Sequence, residues 1–400
     1  MAEIALTENG ARQPFSLDRK LCIFNATLAQ KRCQSPIFAG TVTLVGPGSN
    51  KASAWLGVRG LAGHVCYNCT LDSQETLIMK AIRIHETGGP EVLRYEDVPD
   101  LSPGAGQAVV KIDASGVNFI DIYFRAGLYK TELPFTGGQE AAGVVTAVGP
   151  EVQNVKAGDR VAYCGILGSY AEQACVRADR LVKVPEGVDT QTAAALMLQG
   201  MTVHYLTHST FALGPGHTAL LHAAAGGIGL LLAQVAKMRG ARVIGTCGTP
   251  EKAERARAAG VDDVILYNDV DFQAEVKRLT DGRGVDVVYD SVGKTTWEGS
   301  MNSLRPRGML VLFGNASGPV PPVDPLMLSQ RGSLFMTRPS LVHYVATREE
   351  LEKRSSDLFT WVKEGKLKVH IGETLPLAEA AEAHKRLAAR ATSGKVLLKP

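Results

Sequence analysis

The feature that most constrains the fold is a glycine-rich turn between two apolar segments. Residues 217–225 (HTALLHAAA) have the composition of a buried strand, and residues 226–240 (GGIGLLLAQVAKMRG) have that of a buried helix. The turn reads Ala223-Ala-Ala-Gly226-Gly-Ile-Gly229. In this context it predicts a dinucleotide site, because small residues let the backbone approach a pyrophosphate and the helix N-terminus offers free N–H groups. The alternative is a tight turn that binds nothing.

The same apolar stretch raises the question of a membrane span. From Ala219 to Ala236 it is long enough for one, but His222, Gln234 and the Gly-Gly pair interrupt it. Charged residues make up 21% of the chain, which is too many for a membrane bundle, and hydrophobic residues make up 45%, which is too many for a disordered chain. The net charge of +3 leaves no basic excess for a nucleic-acid backbone. Because Met1–Gly10 also lacks a secretory signal, we expect a cytoplasmic, multidomain protein.

The first 78 residues differ from the rest of the chain. They show no clear helical or strand period, so we expect a poorly ordered leader. Cys66 and Cys69 form a CxxC pair, but no second pair follows at zinc-site spacing, so incidental cysteines are the preferred interpretation. A transit peptide fits this segment poorly. A start codon assigned too far upstream, with Met79 as the true first residue, fits this segment as well as any functional account.

The sequence pattern changes twice after the leader. Residues 79–199 show short strands broken by GG, PG and GD pairs. Residues 200–337 alternate between strand and helix, which indicates βαβ units and a parallel sheet covered on both faces. Residues 338–400 hold two amphipathic helices, at 349–364 and 378–391, and a final strand. We therefore predict an α/β chain that combines a β-rich domain with a doubly wound parallel sheet.

The end of the second strand in the alternating region sets the cofactor preference. An NAD site needs a carboxylate about 20 residues after the glycines, but residues 245–250 (GTCGTP) contain no acid. Lys252 lies in the first turn of the next helix, and Tyr267 ends the third strand. A lysine and a phenol can hold a 2′-phosphate that a carboxylate would repel. A solvated surface lysine is the alternative for Lys252, yet the missing acid independently favours NADPH.

Nine motifs, in order from Met79 to Pro400, carry a resemblance to a known superfamily. They are HETGGPEVL (85–93), GVNFIDIYFRAGLY (116–129), GGQEAAGVVTAVG (137–149), AGDRVAY (157–163), HAAAGGIG (222–229), YDSVG (289–293), FGNASG (313–318), TRPS (337–340) and ARATSGK (389–395). With them the chain resembles the NADPH:quinone oxidoreductase or zeta-crystallin-like branch of the medium-chain dehydrogenase/reductase superfamily. Residues 1–78 match nothing in that branch. The resemblance implies a GroES-like β-barrel domain (79–199 and 338–400), a Rossmann domain (200–337), a cleft between them and a homodimer.

The resemblance also implies which residues contact NADPH. The implied residues are Asn118, Thr202, Ala225, Gly226, Gly227, Ile228, Gly229, Gly248, Lys252, Tyr267, Ser291, Phe313, Gly314, Asn315 and Arg390. Among these, Phe313, Gly314 and Asn315 would lie on the nicotinamide side. Arg390 would bring a second positive charge to the 2′-phosphate, where a charge-assisted pair is strongest.

Departures from zinc-dependent relatives argue against a metal. Those relatives have Cys where this chain has Asn118 and His where it has Gln139, and they carry a lobe with four clustered cysteines. The cysteines after Met79 show no metal-ligand spacing, whereas catalytic zinc needs about three protein ligands. We therefore expect no metal. Gln199 stands where some members of the branch have a lysine, and no role is assigned to it.

Without a metal, the protein must bind, orient and polarise an acceptor beside the nicotinamide. Tyr123 and Tyr129 would line the cleft and donate hydrogen bonds to a quinone or enone oxygen, and Arg338 would reach the same cleft. The alternative for each tyrosine is packing at the edge of the core. We expect Asp121 and Arg125 to form a local ion pair rather than to act in catalysis.

These residues predict a metal-free and flavin-free NADPH:quinone reductase, in which the nicotinamide delivers either a hydride or single electrons to the acceptor. An NADPH-dependent enone, alkenal or enoyl-thioester reductase on the same scaffold is the first alternative. A non-catalytic NADPH-binding protein, crystallin-like or RNA-binding, is the second alternative, and the net charge of +3 gives it no support.

Overall fold

The computed structural model describes residues 78–400 in full and, before them, only the backbone of five strands. Met1–Leu77 and Ile78–Pro400 form separate compact units. The side chains of the first unit and its connecting segments lie outside the described residues, so the expectations for the leader and for Cys66 and Cys69 stay predictions. β1 pairs with β2, and β3 to β5 form a second antiparallel sheet. The five strands are β1 (Ala2–Glu8), β2 (Ala11–Leu17), β3 (Gly40–Thr43), β4 (Ala52–Gly60) and β5 (Gly63–Leu71).

Short strands dominate the start of the second unit. They are β6 (Ile78–Ile84), β7 (Leu93–Pro99), β8 (Gln107–Val117), β9 (Phe135–Thr136), β10 (Glu140–Val148), β11 (Arg160–Cys164), β12 (Gln173–Arg177) and β13 (Val182–Lys183). The chain returns to them at its C-terminal end with β20 (Ile371–Pro376) and β21 (Lys395–Lys399). One sheet runs β13-β11-β10-β8-β21-β20, with β12 also paired to β8, and a smaller sheet runs β7-β6-β9. The C-terminal strand β21 therefore lies beside β8, next to the first helix of this unit.

Two helices lie among these strands. Helix α1 (Phe119–Arg125) follows β8 directly and is capped by Asn118 and Asp121. Helix α2 (Thr190–Tyr205) crosses a region that the sequence pattern assigns to short strands, and the predicted boundary between residues 199 and 200 falls inside it. Almost every side chain from Ala193 to Tyr205 is buried, so α2 has no polar face and no helical period for the sequence to display.

The alternating region forms six parallel strands in the order β16-β15-β14-β17-β18-β19. The strand order reverses between β14 and β17, and in open sheets of this kind ligands bind at that point, beyond the carboxyl ends of the strands. This parallel sheet, together with the strand-rich part, confirms the predicted fold class. Its elements are β14 (Thr218–Leu221), α3 (Gly227–Met238), β15 (Arg242–Cys247), α4 (Pro250–Ala258), β16 (Asp263–Leu266), α5 (Phe272–Leu279), β17 (Val285–Asp290), α6 (Trp297–Asn302), β18 (Leu304–Leu312), α7 (Leu326–Gln330) and β19 (Phe335–Thr337).

Alternation along the parallel strands covers both faces of the sheet. Leu221 packs with α2 and α3 in the largest core cluster, whereas Leu220 faces the second cluster, on the opposite side. The larger cluster also includes Ala142 and Ala162 from β10 and β11, so α2 joins the strand-rich part to the parallel sheet through one continuous core. The last helices are α8 (Leu341–Tyr344), α9 (Arg348–Lys363) and α10 (Ala380–Ala388), close to the predicted ranges for the latter two. Across the part of the chain that the structure describes, no helix combines the length and apolarity that a membrane crossing requires.

Candidate active site

One large cleft of about 1210 Å³ gathers nearly all of the predicted site residues. It runs past the glycine turn, helix α1 and the segment that follows β19. The exception is Asn315, whose neighbours Gly314 and Ala316 line the cleft. The predicted residues in the lining are Asn118, Tyr123, Tyr129, Thr202, Ala225, Gly226, Gly227, Ile228, Gly229, Gly248, Lys252, Tyr267, Ser291, Phe313, Gly314, Arg338 and Arg390. The structure therefore brings them together, and their roles stay predictions.

The glycine turn is shaped by how closely the helix approaches the strand. β14 ends at Leu221, earlier than the sequence pattern predicts, and the next residues form the turn. A side chain at Gly229 would overlap the backbone of Ala223 and Ala224, so only glycine lets α3 pack at this distance. At Gly226, by contrast, an added Cβ would meet only the Ala223 carbonyl oxygen, at 3.2 Å. Gly226 thus leaves open space above the helix N-terminus, where a pyrophosphate can be bound.

Gln199 of α2 lies against this turn. A side chain at Gly227 would overlap the Gln199 amide, which also lines the cleft. The structure therefore places Gln199 beside the first turn of α3. Nothing in the contacts of the described residues assigns it a chemical role.

Residues 390–394, which we call the tail, close one end of the cleft. Gly394 pairs with Gly226 in a short parallel bridge, and the Ser393 hydroxyl donates a hydrogen bond to the Ala225 carbonyl oxygen at 3.2 Å. The Lys252 ammonium donates to the Arg390 carbonyl oxygen at 2.6 Å. These contacts bring the tail, with Arg390, beside Lys252.

Tyr267 completes this end of the cleft. The residue is 40% exposed, and a Cβ at Gly248 would lie 2.7 Å from the Tyr267 hydroxyl oxygen. Within the described part of the chain, no Asp or Glu side chain lines the cleft, whereas Lys252, Arg338 and Arg390 do. Two cations and a phenol on an exposed surface suit a phosphate group with two negative charges.

The ends of β17 and β18 approach each other where the nicotinamide side is expected. A side chain at Gly314 would overlap the backbone of Ser291. Asp290 holds the turn after β17, because its buried carboxylate accepts hydrogen bonds from the backbone N–H groups of Val292 (2.8 Å) and Gly293 (2.9 Å). Asp290 lies inside the motif YDSVG, but no pattern in the sequence indicates this role.

Two tyrosines and an arginine form the other end of the cleft. The rings of Tyr123 and Tyr129 meet edge to face, with centroids 5.4 Å apart. Arg338 donates to the Tyr129 hydroxyl oxygen at 3.4 Å and to the Leu312 carbonyl oxygen at 3.2 Å. The backbone N–H of Asn315 donates to the Tyr123 hydroxyl oxygen at 2.8 Å. The backbone of Asn315 is thus part of this end of the cleft, and its amide oxygen accepts from Arg338 at 3.1 Å.

The Tyr123 hydroxyl is positioned to donate a hydrogen bond to a ligand in the cleft. It accepts from Asn315, and among the described residues its own proton has no hydrogen-bond acceptor. Burial raises the pKa of Tyr123 to about 12, so the proton stays on the oxygen at any physiological pH. A neutral phenol held by a backbone N–H is a fixed donor for an oxygen that gains negative charge.

The expected ion pair between Asp121 and Arg125 is absent. The Asp121 carboxylate accepts from the Asn118 backbone N–H at 2.8 Å and from the Tyr170 hydroxyl at 2.9 Å. Arg125 instead donates to Nδ1 of His384 at 3.1 Å. The two side chains, four positions apart, are close enough on a helix to pair, but tertiary partners outcompete that local contact. Together these partners hold both ends of α1, the helix that carries Tyr123.

Comparisons with known proteins agree with this geometry. The family model of the alcohol dehydrogenase GroES-like domain matches residues 104–186, and that of the zinc-binding dehydrogenase matches residues 227–361. A quinone oxidoreductase from Pseudomonas aeruginosa is 48% identical over 323 residues, which cover 80% of this chain and 99% of that protein. The chain belongs to the quinone oxidoreductase branch of the medium-chain dehydrogenase/reductase superfamily. This confirms the resemblance found in the sequence.

Two further relatives bear on the chemistry of this quinone oxidoreductase-like enzyme. A 2-haloacrylate reductase from a Burkholderia species is 46% identical over 332 residues, which cover 81% of this chain and 99% of that protein. The crystal structure of Escherichia coli quinone oxidoreductase complexed with NADPH is 45% identical, with a TM-score of 0.79. That alignment covers 80% of this chain and 100% of the other.

The cleft of this quinone oxidoreductase-like chain does not fit the zinc that one family name suggests. Zinc takes thiolate, imidazole or carboxylate ligands, whereas positions 118 and 139 carry amides. The Asn118 amide oxygen already accepts from the Lys395 ammonium at 2.8 Å, and burial raises the pKa of the Cys164 thiol. No group of three or more His, Cys, Asp or Glu side chains suited to a metal occurs among residues 78–400. Metal independence of the reaction itself stays a prediction.

Two charged residues beneath the cleft were missed by the sequence analysis. Glu140 and Lys395 are fully buried and form an ion pair with each other. The Asn118 amide donates to Glu140 at 2.8 Å and accepts from Lys395, so the pair fixes its orientation. Strand order creates this cluster, because β8 lies between β10 and β21 in the sheet. The motifs GGQE and TSGK contain both residues, but their proximity is a tertiary fact.

Proposed function

We propose that this chain catalyses the metal-independent reduction of quinones by NADPH in the cleft. The Tyr123 hydroxyl carries the proposal, since it is held by the Asn315 backbone N–H and keeps its proton for a ligand. Tyr129 lies against it, and Arg338 contacts Tyr129. The developing negative charge on a quinone oxygen would meet two phenol donors and a guanidinium.

The cofactor is NADPH. The residues fit it at the end of the cleft beside the glycine turn, because the turn leaves space above the α3 N-terminus and Lys252 lies close to the Arg390 backbone. A 2′-phosphate beside these two cations would be held by charge-assisted hydrogen bonds, which are about twice as strong as neutral ones. When bound, NADPH supplies the hydride.

The residues of the chain have three tasks in the proposed reaction. The glycine turn and residues 390–394 would bind the pyrophosphate and the adenosine half, and the Ser291 and Gly314 backbones would shape the nicotinamide side. Tyr123 and Tyr129 would orient the acceptor and stabilise the negative charge that develops on its oxygen. The apolar part of the cleft wall limits the access of water to the transfer. The homodimer and the cytoplasmic location remain predictions that rest on the resemblance and the composition.

Steady-state kinetics of the purified full chain test the proposal. We expect oxidation of NADPH by ortho- and para-quinones, with a much lower kcat/KM for NADH. Activity should persist after dialysis against a strong chelator, with the metal content measured on the same sample. Quinone turnover that disappears with the metal and returns with zinc would contradict the metal-independent part. NADPH binding without turnover of any acceptor would refute the enzyme and favour a binding protein.

Reduction of an activated C=C bond is the second candidate function. The Burkholderia relative is a 2-haloacrylate reductase at 46% identity, and the exposed Arg338 in this cleft can pair with a carboxylate. The same panel should therefore include α,β-unsaturated ketones and carboxylates. Turnover of these acceptors without turnover of quinones would assign the chain this second function, and the proposed cofactor site would still stand.

A further inference from the structure

One polar group in the cleft wall has no partner. The amide nitrogen of Gln139 is buried and makes no hydrogen bond, and the residue as a whole is only 5% exposed. Four other side chains in residues 78–400 also hold a buried polar atom without a partner, but none of them lines the cleft. A buried unpaired amide costs about 1–3 kcal/mol, so its presence in a ligand cleft calls for an explanation.

The backbone holds Gln139 firmly. Its carbonyl oxygen accepts from the Gly165 N–H at 2.8 Å, and the following residue is the buried Glu140. Glu140 accepts from the Leu198 N–H at 2.5 Å and pairs with Lys395. The backbone at this position is therefore fixed, whereas the terminal torsion of a glutamine side chain has a broad energy minimum. Rotation about that torsion can present the N–H group to a ligand.

The position of Gln139 points to the acceptor rather than to the cofactor phosphates. It belongs to the wall formed by the strand-rich part, together with Cys164 and Ile166. The glycine turn and Lys252 belong to the part of the chain that contains the parallel sheet. Arg180 also lines the cleft and acts on the neighbouring Cys164, but its guanidinium donates to the Val345 carbonyl oxygen at 2.8 Å. An amide N–H in such a wall can donate to a neutral carbonyl oxygen.

We infer that Gln139 is a specificity-determining residue that donates a hydrogen bond to a carbonyl oxygen of the bound acceptor. This inference rests on the proposed reduction of a carbonyl-bearing acceptor. Tyr123 and Gln139 then act on the acceptor from two directions. The unpaired amide is the cost in stability of a site that is complete only with its ligand.

The test compares two variants that each remove a buried polar group without a partner. Gln139→Met keeps the length of the side chain and removes the amide. Tyr163→Phe is the matched control, since the Tyr163 hydroxyl is also buried and unpartnered but lies outside the cleft lining. We expect both variants to raise the Tm of the cofactor-free protein, by about 2 °C or more.

Only Gln139→Met should change acceptor binding. We expect the kcat/KM for 1,4-naphthoquinone to fall about tenfold, as for the loss of one neutral hydrogen bond, with the Kd for NADPH by fluorescence titration unchanged. Tyr163→Phe should leave both values at those of the unmodified chain. A lower Tm for Gln139→Met, unchanged quinone kinetics, or a weakened NADPH complex would each overturn the assignment.

The two proposals can fail separately. If the unmodified chain turns over no acceptor, the proposed function fails, and quinone binding to the NADP⁺-loaded protein is then measured by calorimetry for both variants. Weaker quinone binding by Gln139→Met alone would still support the role of Gln139. If the unmodified chain is active and Gln139→Met matches it, only this inference fails.

Discussion

Replacing Tyr123 with phenylalanine tests the centre of the proposed mechanism. The change removes one oxygen that accepts from the Asn315 N–H at 2.8 Å and that would donate to the acceptor. Loss of one such preorganised donor costs about 2.7–4 kcal/mol of transition-state stabilisation, a factor of about 10²–10³ in kcat. Because Tyr129 can still donate, we expect the lower part of that range, about 10²-fold. The Kd for NADPH should change by less than about threefold, since the hydroxyl lies at the acceptor end.

The stability of this variant should fall as well. The part-buried N–H of Asn315 loses its acceptor, which costs about 1–3 kcal/mol. Tyr289→Phe is the matched control, because the buried Tyr289 hydroxyl donates to the Leu206 carbonyl oxygen at 3.2 Å away from the cleft lining. It should lose stability but keep its kcat. A Tyr123→Phe enzyme with a kcat within about threefold of the unmodified value would refute the donor role.

The pH dependence of the reaction gives an independent check. Burial raises the pKa of Tyr123 to about 12, so its hydroxyl is protonated throughout the range of pH 7 to 10. We expect no fall in kcat over this range that can be assigned to Tyr123. A basic limb that disappears in Tyr123→Phe would show that the proton is lost much earlier than the burial of the phenol allows.

Three further outcomes follow from the structure. Lys252→Ala and Arg390→Ala should each weaken NADPH about tenfold and NADH little, as measured by fluorescence titration, because each removes one charge-assisted contact to the 2′-phosphate. Gly229→Ala should lower the Tm and abolish NADPH binding, since its Cβ would overlap the preceding turn. Burial raises the pKa of Asp121 from 3.8 to about 7, so stability should fall as pH rises through that window, and Asp121→Asn should remove this decline in thermal melts.

The controls for these outcomes differ. Equal losses of NADPH and NADH affinity in Lys252→Ala would contradict the assigned phosphate contact. The Asp121 experiment needs the difference between the two melting curves, because His384 acts in the opposite direction. Burial lowers the pKa of His384 to about 3, and stability is therefore lost as pH falls from 6.5 towards that value. Parallel Tm curves for Asp121→Asn and the unmodified chain would refute the titration of Asp121.

Local sequence patterns were enough to predict the parallel sheet and the cofactor. The glycine turn could be predicted because its strand, turn and helix are contiguous, and each residue type is needed for a local reason. Lys252 and Tyr267 were found in the same way, from their places after consecutive strands. Helix α2 was missed because it is buried on all sides and therefore has no period.

The acceptor end of the cleft depends on contacts between residues that are far apart in the sequence. Arg125 is paired with His384 rather than with Asp121, although only the latter is its neighbour in sequence. Asn315 contributes a backbone N–H, which every residue type except proline would supply. For that reason no residue pattern could have shown how it contacts Tyr123.

By itself, the sequence determined the fold class, the superfamily, the dinucleotide turn and the preference for a 2′-phosphate. The superfamily follows from the resemblance of nine motifs, and the other three follow from side-chain size, charge and periodicity over short stretches. Only the tertiary structure decided which polar groups find partners. It paired Glu140 with Lys395 because strand order brings them together, and it left the Gln139 amide unpaired in the cleft wall. Hydrogen-bond satisfaction is a property of three-dimensional surroundings, and that is why the acceptor end of the site emerges only from the fold.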